Sequence, residues 1–429
     1  MTRRIRAATL ALVTAAACTS GPQPRDAATL DLVDPVEEPT SPVSPSPPAE
    51  APTTPARTSD LTDVGGRLAV IDASGRLVTM TPDGTDPTVL AAVDRGTSEI
   101  QQPSWSRDGS RLAWVHLETL ASGAVEGSVA TARHDGSRAT RTRTEIVPYY
   151  LNWDPTSSRI AYLGPLTSAE VGFGVVELGG RSRGAVLDSG RPFYFSWAPS
   201  GDELLVHAGE DRLERLPLKG LPRTVDTPAI FSAPVWTADG SKLVYGSQDD
   251  EGLMELVVHD VAAGDAEALV TFDGLILFVV SPDGSRVAYQ IVGEVETGPL
   301  TVVDLASGDS TAIVDRLTAA FFWSPDSERL LYLDPDPDPE AYWYRWGIWD
   351  GETTFETPRF EPSLLMVGDY LPFFEQYAQS MSLWSPDGSA FAYPGMGEDG
   401  RTGIWVQEAE PGTAPVLVAG GDFVTWSPA

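Results

Sequence analysis

"SLWSPDGSAFAYP", residues 382–394, runs an apolar strand into a tryptophan, turns within four residues, and leaves as an alternating apolar strand. Pro386 presets φ at the first turn position, Asp387 can bond the main chain two residues on, and Gly388 accepts the positive φ that ends the turn. The same hairpin returns as "PSWSRDGSRLAWVH" from Pro103, "PVWTADGSKLVYGS" from Pro234, "FVVSPDGSRVAYQ" from Phe278 and "FFWSPDSERLLYL" from Phe321. Looser copies are "LNWDPTSSRIAYL" from Leu151 and "FSWAPSGDELLVH" from Phe195.

The anchors of these copies, with one more near the end of the chain, are Trp105, Trp153, Trp197, Trp236, Val280, Trp323, Trp384 and Trp426, separated by 48, 44, 39, 44, 43, 61 and 42 residues. Self-similarity at this period marks an all-β propeller built of four-stranded blades. Each hairpin supplies an inner and a second strand. A third follows, as in "LTVVDLASGD" from Leu300, and then an outer one, as in "STAIV" from Ser310. A large aromatic repeated at every inner strand is expected to pack between neighbouring blades rather than to stack on a ligand.

The segment from Gly65, "GGRLAVIDASGRLVTMTPDGTDPTVLAA", reads as second, third and outer strands with no inner strand ahead of them. "FVTWSPA", 423–429, is an inner strand with nothing after it. Joined in one blade, the two ends close the ring and remove exposed sheet edges. Eight anchors predict eight blades, with seven as the alternative if a loose copy lacks a true inner strand.

These W-S-P-D-G hairpins resemble the repeats of the propeller domain of the TolB family, over residues 65–429. The resemblance implies a propeller fold. It does not extend to the small α/β domain that precedes the propeller in TolB, so that family's role in bridging envelope proteins does not carry over as a whole. TolB-like propellers also include pectin-fragment lyases with a histidine-bound metal. Here His134 and His259 end third strands of different repeats, and His116 and His207 end second strands two repeats apart, so neither a metal set nor a cofactor is expected.

Ahead of the propeller, residues 1–17 carry Arg3, Arg4 and Arg6 and then an apolar run, the form of a secretory signal. Cys18, the only cysteine, follows Ala15-Ala16-Ala17 as in the lipobox of bacterial lipoproteins, although Ala15 stands where leucine is usual. Residues 18–60 then form a Pro/Ser/Thr/Ala-rich linker that buries too little to order itself. The expected location is the outer face of the cytoplasmic membrane, reached through a lipid anchor. Only Lys219 and Lys242 among 29 basic residues are lysines, a usage associated with GC-rich, actinobacterium-like sources.

A net charge of −32 makes nucleic acid and anionic lipid poor partners. The loops between second and third strands hold much of the acid, and they share one face of the ring with the crossings from outer to next inner strand. One repeat departs from the pattern on that face. Its loop runs "LDPDPDPEAYWYRW" from Leu333, and its crossing, "PSLLMVGDYLPFFEQYAQS" from Pro362, is about 15 residues longer than the one before. Asp334, Asp336, Asp338, Glu340, Tyr342, Trp343, Tyr344, Tyr370, Phe373 and Phe374 are the candidate site residues. They form either an exposed recognition patch or a lid over the channel mouth. Calcium on the acidic loop is disfavoured, because the intervening prolines extend the chain instead of wrapping it round an ion.

No nucleophile elbow or sialidase-type Asp box is present, and no catalytic residue is assigned. The sequence therefore predicts a monomeric, non-catalytic scaffold for an envelope protein or small ligand, with a cationic partner suiting the charge. A carbohydrate-active or glycan-binding propeller using the same face is the alternative.

Overall fold

The computed structural model describes residues 57–94, 96–179, 183–293, 296–336 and 342–428, all within one compact unit, Arg57–Ala429. Cys18 and most of the linker lie outside the described residues, as do Asp338 and Glu340. No described helix is long and apolar enough to cross a membrane.

The unit is a β-propeller. Six separate four-stranded antiparallel sheets each run from inner to outer strand, for example Leu275–Val280, Arg286–Val292, Leu300–Asp304 and Ser310–Val314. A seventh, eight-stranded sheet unites the strand sets that follow Trp323 and Trp384. The joint is Phe360–Pro362, which pairs with Tyr344 on one side and with Gly395–Gly397 on the other. Inner strands of successive sets touch, as Ser98–Trp105 touches Tyr150–Trp153. Second strands are covered on both faces by neighbouring sheets, so they read as unbroken apolar runs; Ile160, Ala161, Tyr162 and Leu163 are all buried. Outer strands such as Thr140–Arg143 are mostly exposed and polar.

The turns behave as their chemistry requires. Ser281 Oγ donates to Asp283 Oδ1 at 2.6 Å, and the same oxygen accepts the Ser285 N–H at 3.0 Å. Gly284 takes φ 73°, and its N–H reaches the Ser281 carbonyl at 2.8 Å. In the hairpin after Trp323 the glycine place is held by Ser327, at φ 64°.

The anchor tryptophans lie between sheets, and their indole N–H groups follow a rule. Each donates to the carbonyl of the residue just before the preceding anchor: Trp153 to Ser104 at 2.9 Å, Trp197 to Asn152 at 3.3 Å, Trp323 to Val279 at 3.2 Å and Trp384 to Phe322 at 3.2 Å. Trp105 reaches across the chain ends to Thr425 at 3.3 Å. Each bond ties one inner strand to its neighbour. Two anchors break the rule: the Trp236 indole nitrogen has no partner among the described residues, and Trp426 donates to the Gly65 carbonyl at 3.0 Å.

The two ends of the described chain close the ring. Gly421–Trp426 pairs antiparallel with Leu68–Asp72, in the register Leu68 to Trp426 and Ile71 to Phe423. Arg57 and Thr58, read from sequence as linker, instead pair parallel with Thr413 and Ala414. They are held because Arg57 meets Glu408 at 2.8 Å and Ser59 Oγ donates to the Ala414 carbonyl at 2.8 Å. This contact is on the turn face, opposite the face that carries the long crossing.

Candidate functional site: the crossing face and a plugged channel

The long crossing does not stay on the surface. After Pro362 it forms a π-helical turn, Met366–Tyr370, a 3-10 turn, Leu371–Phe373, and one α-turn, Phe374–Tyr377. The inner strands around it expose unpaired main-chain groups toward the axis, and the crossing supplies partners for them. Gln376 imitates a strand residue: its Oε1 accepts the Phe195 N–H at 2.9 Å and its Nε2 donates to the Phe195 carbonyl at 2.8 Å. Glu375 Oε1 accepts the Phe278 N–H at 2.8 Å. Tyr150 Oη donates to the Gln376 carbonyl at 2.8 Å, and Gln102 donates to Tyr377 Oη at 2.9 Å. Ser104 and Arg107 donate to the carbonyls of Ser380 and Gln379 at 3.0 and 2.5 Å.

Aromatic packing completes the plug. The Phe374 ring centroid lies 4.9 Å from Phe321 and 5.9 Å from Phe322, and Tyr370 lies 5.2 Å from Phe423 and 4.6 Å from Tyr377. A void of about 20 Å³ remains against the ring, lined by Phe322, Met366, Tyr370, Phe374 and Phe423. That is room for one water and offers it few polar partners. Burial pushes the Glu375 carboxyl up to about 8, offset in part by the Phe278 N–H. The side chain keeps some accessible surface, yet protein surrounds it in the channel; its charge is disfavoured by depth rather than by full enclosure. Desolvation raises Tyr150 to about 12.

The candidate residues divide accordingly. Tyr370 and Phe374 are buried in the plug, the inward one of the two arrangements left open from sequence. Asp334 is buried as well, held by the Arg316 guanidinium, whose pKa is raised chiefly by that hydrogen bond. Asp336 lies 3.4 Å from Arg359, and the Arg359 guanidinium covers the half-buried Trp343 ring at 5.8 Å. Tyr344 packs against the core. Tyr342 and Phe373 remain exposed. Among the described candidates, Tyr342 and Phe373 are exposed while the others make structural contacts.

Sequence reasoning missed Gln102, Arg107, Glu375 and Gln376. The polar Glu-Gln pair inside an aromatic stretch was the available sign of an inward turn. The crossing face does carry apolar surface elsewhere: Leu364 is 88% exposed, and Tyr149, Leu166, Ile230 and Leu253 are also exposed. Asp250, Glu251 and Asp273, in the repeat of Ile230 and Leu253, make no ion pair among the described residues.

No protein-family model matches the chain, and no curated protein matches it. Solved structures similar to it include TolB from Acinetobacter baumannii, at 14% identity over 69% of this chain and 65% of that one, TM-score 0.39. Tricorn protease is similar at 11% identity over 82% and 38%, TM-score 0.47. Oligogalacturonate lyase in complex with manganese is similar at 13% identity over 86% of both chains, TM-score 0.42. The chain spans less than two thirds of that TolB and about half of puromycin hydrolase, another similar structure. The likeness is one of propeller fold, and none of the named activities transfers with it.

Proposed function

We propose that the chain is an extracytoplasmic lipoprotein, anchored through Cys18, whose propeller head captures an envelope protein or small ligand on its crossing face and performs no chemistry. The observation that carries this reading is a polarity of faces. The chain enters the head at Arg57–Thr58 on the turn face, while exposed Tyr149, Ile230, Leu253, Leu364 and Phe373 stand on the crossing face with unpaired carboxylates among them. A tethered head of this build presents its apolar, acidic face away from its attachment.

The test is capture from envelope extracts by a soluble head beginning at residue 57, compared with Leu364→Ser/Phe373→Ser and Ile230→Ser/Leu253→Ser pairs. All these side chains are exposed, so folding should hold. One pair should lower capture at least ten-fold, with the melting temperature unchanged. Equal capture by both pairs and the parent would refute the reading.

A further inference from the structure

The position two residues after each anchor stands where the inner strand ends, at the turn-face mouth of the channel. Six repeats carry proline there: Pro155, Pro199, Pro282, Pro325, Pro386 and Pro428. A seventh carries Ala238, and the remaining one carries Arg107. A turn that proline suits so well gains nothing in conformation from arginine, so the cation needs another reason.

The structure shows what it does. Arg107 reaches under the plug, donating to the Gln379 carbonyl at 2.5 Å and approaching Asn152 Oδ1 at 3.5 Å. No carboxylate of the described residues pairs with it. The nearest, Asp154, is committed elsewhere: its Oδ1 accepts the Ser158 and Arg159 N–H groups at 2.7 and 2.8 Å, and Thr156 and Ser158 bond its Oδ2. Arg107 is exposed as a residue, while burial of its guanidinium end lowers its pKa.

Two further donors beside it lack acceptors. Asn152 is 1% exposed and its Nδ2 has no partner; Gln379 Nε2 is likewise closed off and unpaired. The adjacent Tyr150 hydroxyl, which Asn152 approaches without a well-aligned bond, donates to the Gln376 carbonyl and accepts from Gln376 Nε2. Exchanging the Asn152 amide atoms would only turn its nitrogen toward the cation. Buried donors left unmade are costly, and a guanidinium with a spare edge suits an oxyanion.

We propose that the turn-face end of the channel is a binding site for a small oxyanion, a carboxylate or phosphate group, held by Arg107 and Asn152 with Gln379 as a third donor. The site lies on the opposite face from the proposed capture surface and stands or falls independently of it. Binding there would fasten the plug from below, because Gln379 belongs to it.

The probes are inorganic phosphate, sulfate and acetate, titrated into the 57–429 head at constant ionic strength with chloride as the reference, and read by calorimetry and thermal melting. At least one should bind and raise the melting temperature, phosphate against acetate telling which chemistry is preferred. Arg107→Pro, which restores the residue of the other repeats and so should fold, is expected to weaken binding by about ten- to a hundred-fold, the range for a charged hydrogen bond. Asn152→Asp should abolish binding by giving Arg107 its own carboxylate, with no loss of melting temperature. An oxyanion response that survives both substitutions, or none in the parent protein, overturns the proposal. If Arg107→Pro lowers stability equally in chloride and in oxyanion, Arg107 only pins the plug, and the proposal also fails.

Discussion

Replacing Gln376 by alanine removes a side chain that holds both main-chain groups of Phe195. These groups belong to an inner strand whose axis-facing edge has no other strand to pair with. Leaving a buried donor or acceptor unmade costs about 1–3 kcal/mol, so two together cost about 2–6 kcal/mol. Freeing a buried glutamine returns at most about 2 kcal/mol of side-chain entropy. The Tyr150 hydroxyl keeps its bond to the main-chain carbonyl of residue 376 and softens the loss. The net expectation is destabilisation of about 1–4 kcal/mol in urea unfolding followed by tryptophan fluorescence, against almost none for Leu364→Ala on the exposed start of the same crossing. A Gln376→Ala change below about 0.5 kcal/mol would show that the inner edge is not sealed by this residue.

The Glu375 carboxyl is raised from 4.5 to about 8 in the fold. Its stabilising contribution is therefore complete below about pH 4.5 and lost as pH rises through about 8. Glu375→Gln should flatten this part of the profile and gain on the parent by about 1–3 kcal/mol near pH 9, an amount reduced for the group's residual solvent contact; parallel profiles would refute its depth. Trp153→Phe, which strands the Ser104 carbonyl, should cost about 1–3 kcal/mol, whereas the same change at Trp236, whose indole N–H has no acceptor, should cost less; equal costs would contradict the interblade rule. Deleting 423–429 strips Leu68–Asp72 of its partner and exposes that strand's edge, so a soluble product with an unchanged melting temperature would refute ring closure. Cys18→Ala should move the protein from the detergent phase to the aqueous phase or leave it uncleaved, and unchanged partitioning would refute the lipid anchor.

Local chemistry made the propeller legible. Serine, proline, aspartate and glycine impose the hairpin through their own main-chain preferences, and the anchor tryptophans recur because every interblade seam poses the same packing problem. The unpaired ends at Gly65 and Ala429 followed from counting strands. The path of the crossing was harder to read. Whether Tyr370 and Phe374 face solvent or the axis depends on the space the ring leaves, which is a property of all the inner strands together and not of residues 362–380. Asp334 looked like a solvated loop acid because its partner, Arg316, lies in the preceding crossing. Arg107 was visible as the sole charge in a column of prolines, but its meaning required the plug above it.

The plug is the centre of this account, and amide hydrogen exchange of the 57–429 head tests it directly. The Phe195 and Phe278 amides, bonded only to plug side chains, and the Ala378 and Met381 amides, bonded within the plug, should open no more readily than the second strands. Exchange of these four at the rate of an exposed loop, with the second strands still protected, would contradict it.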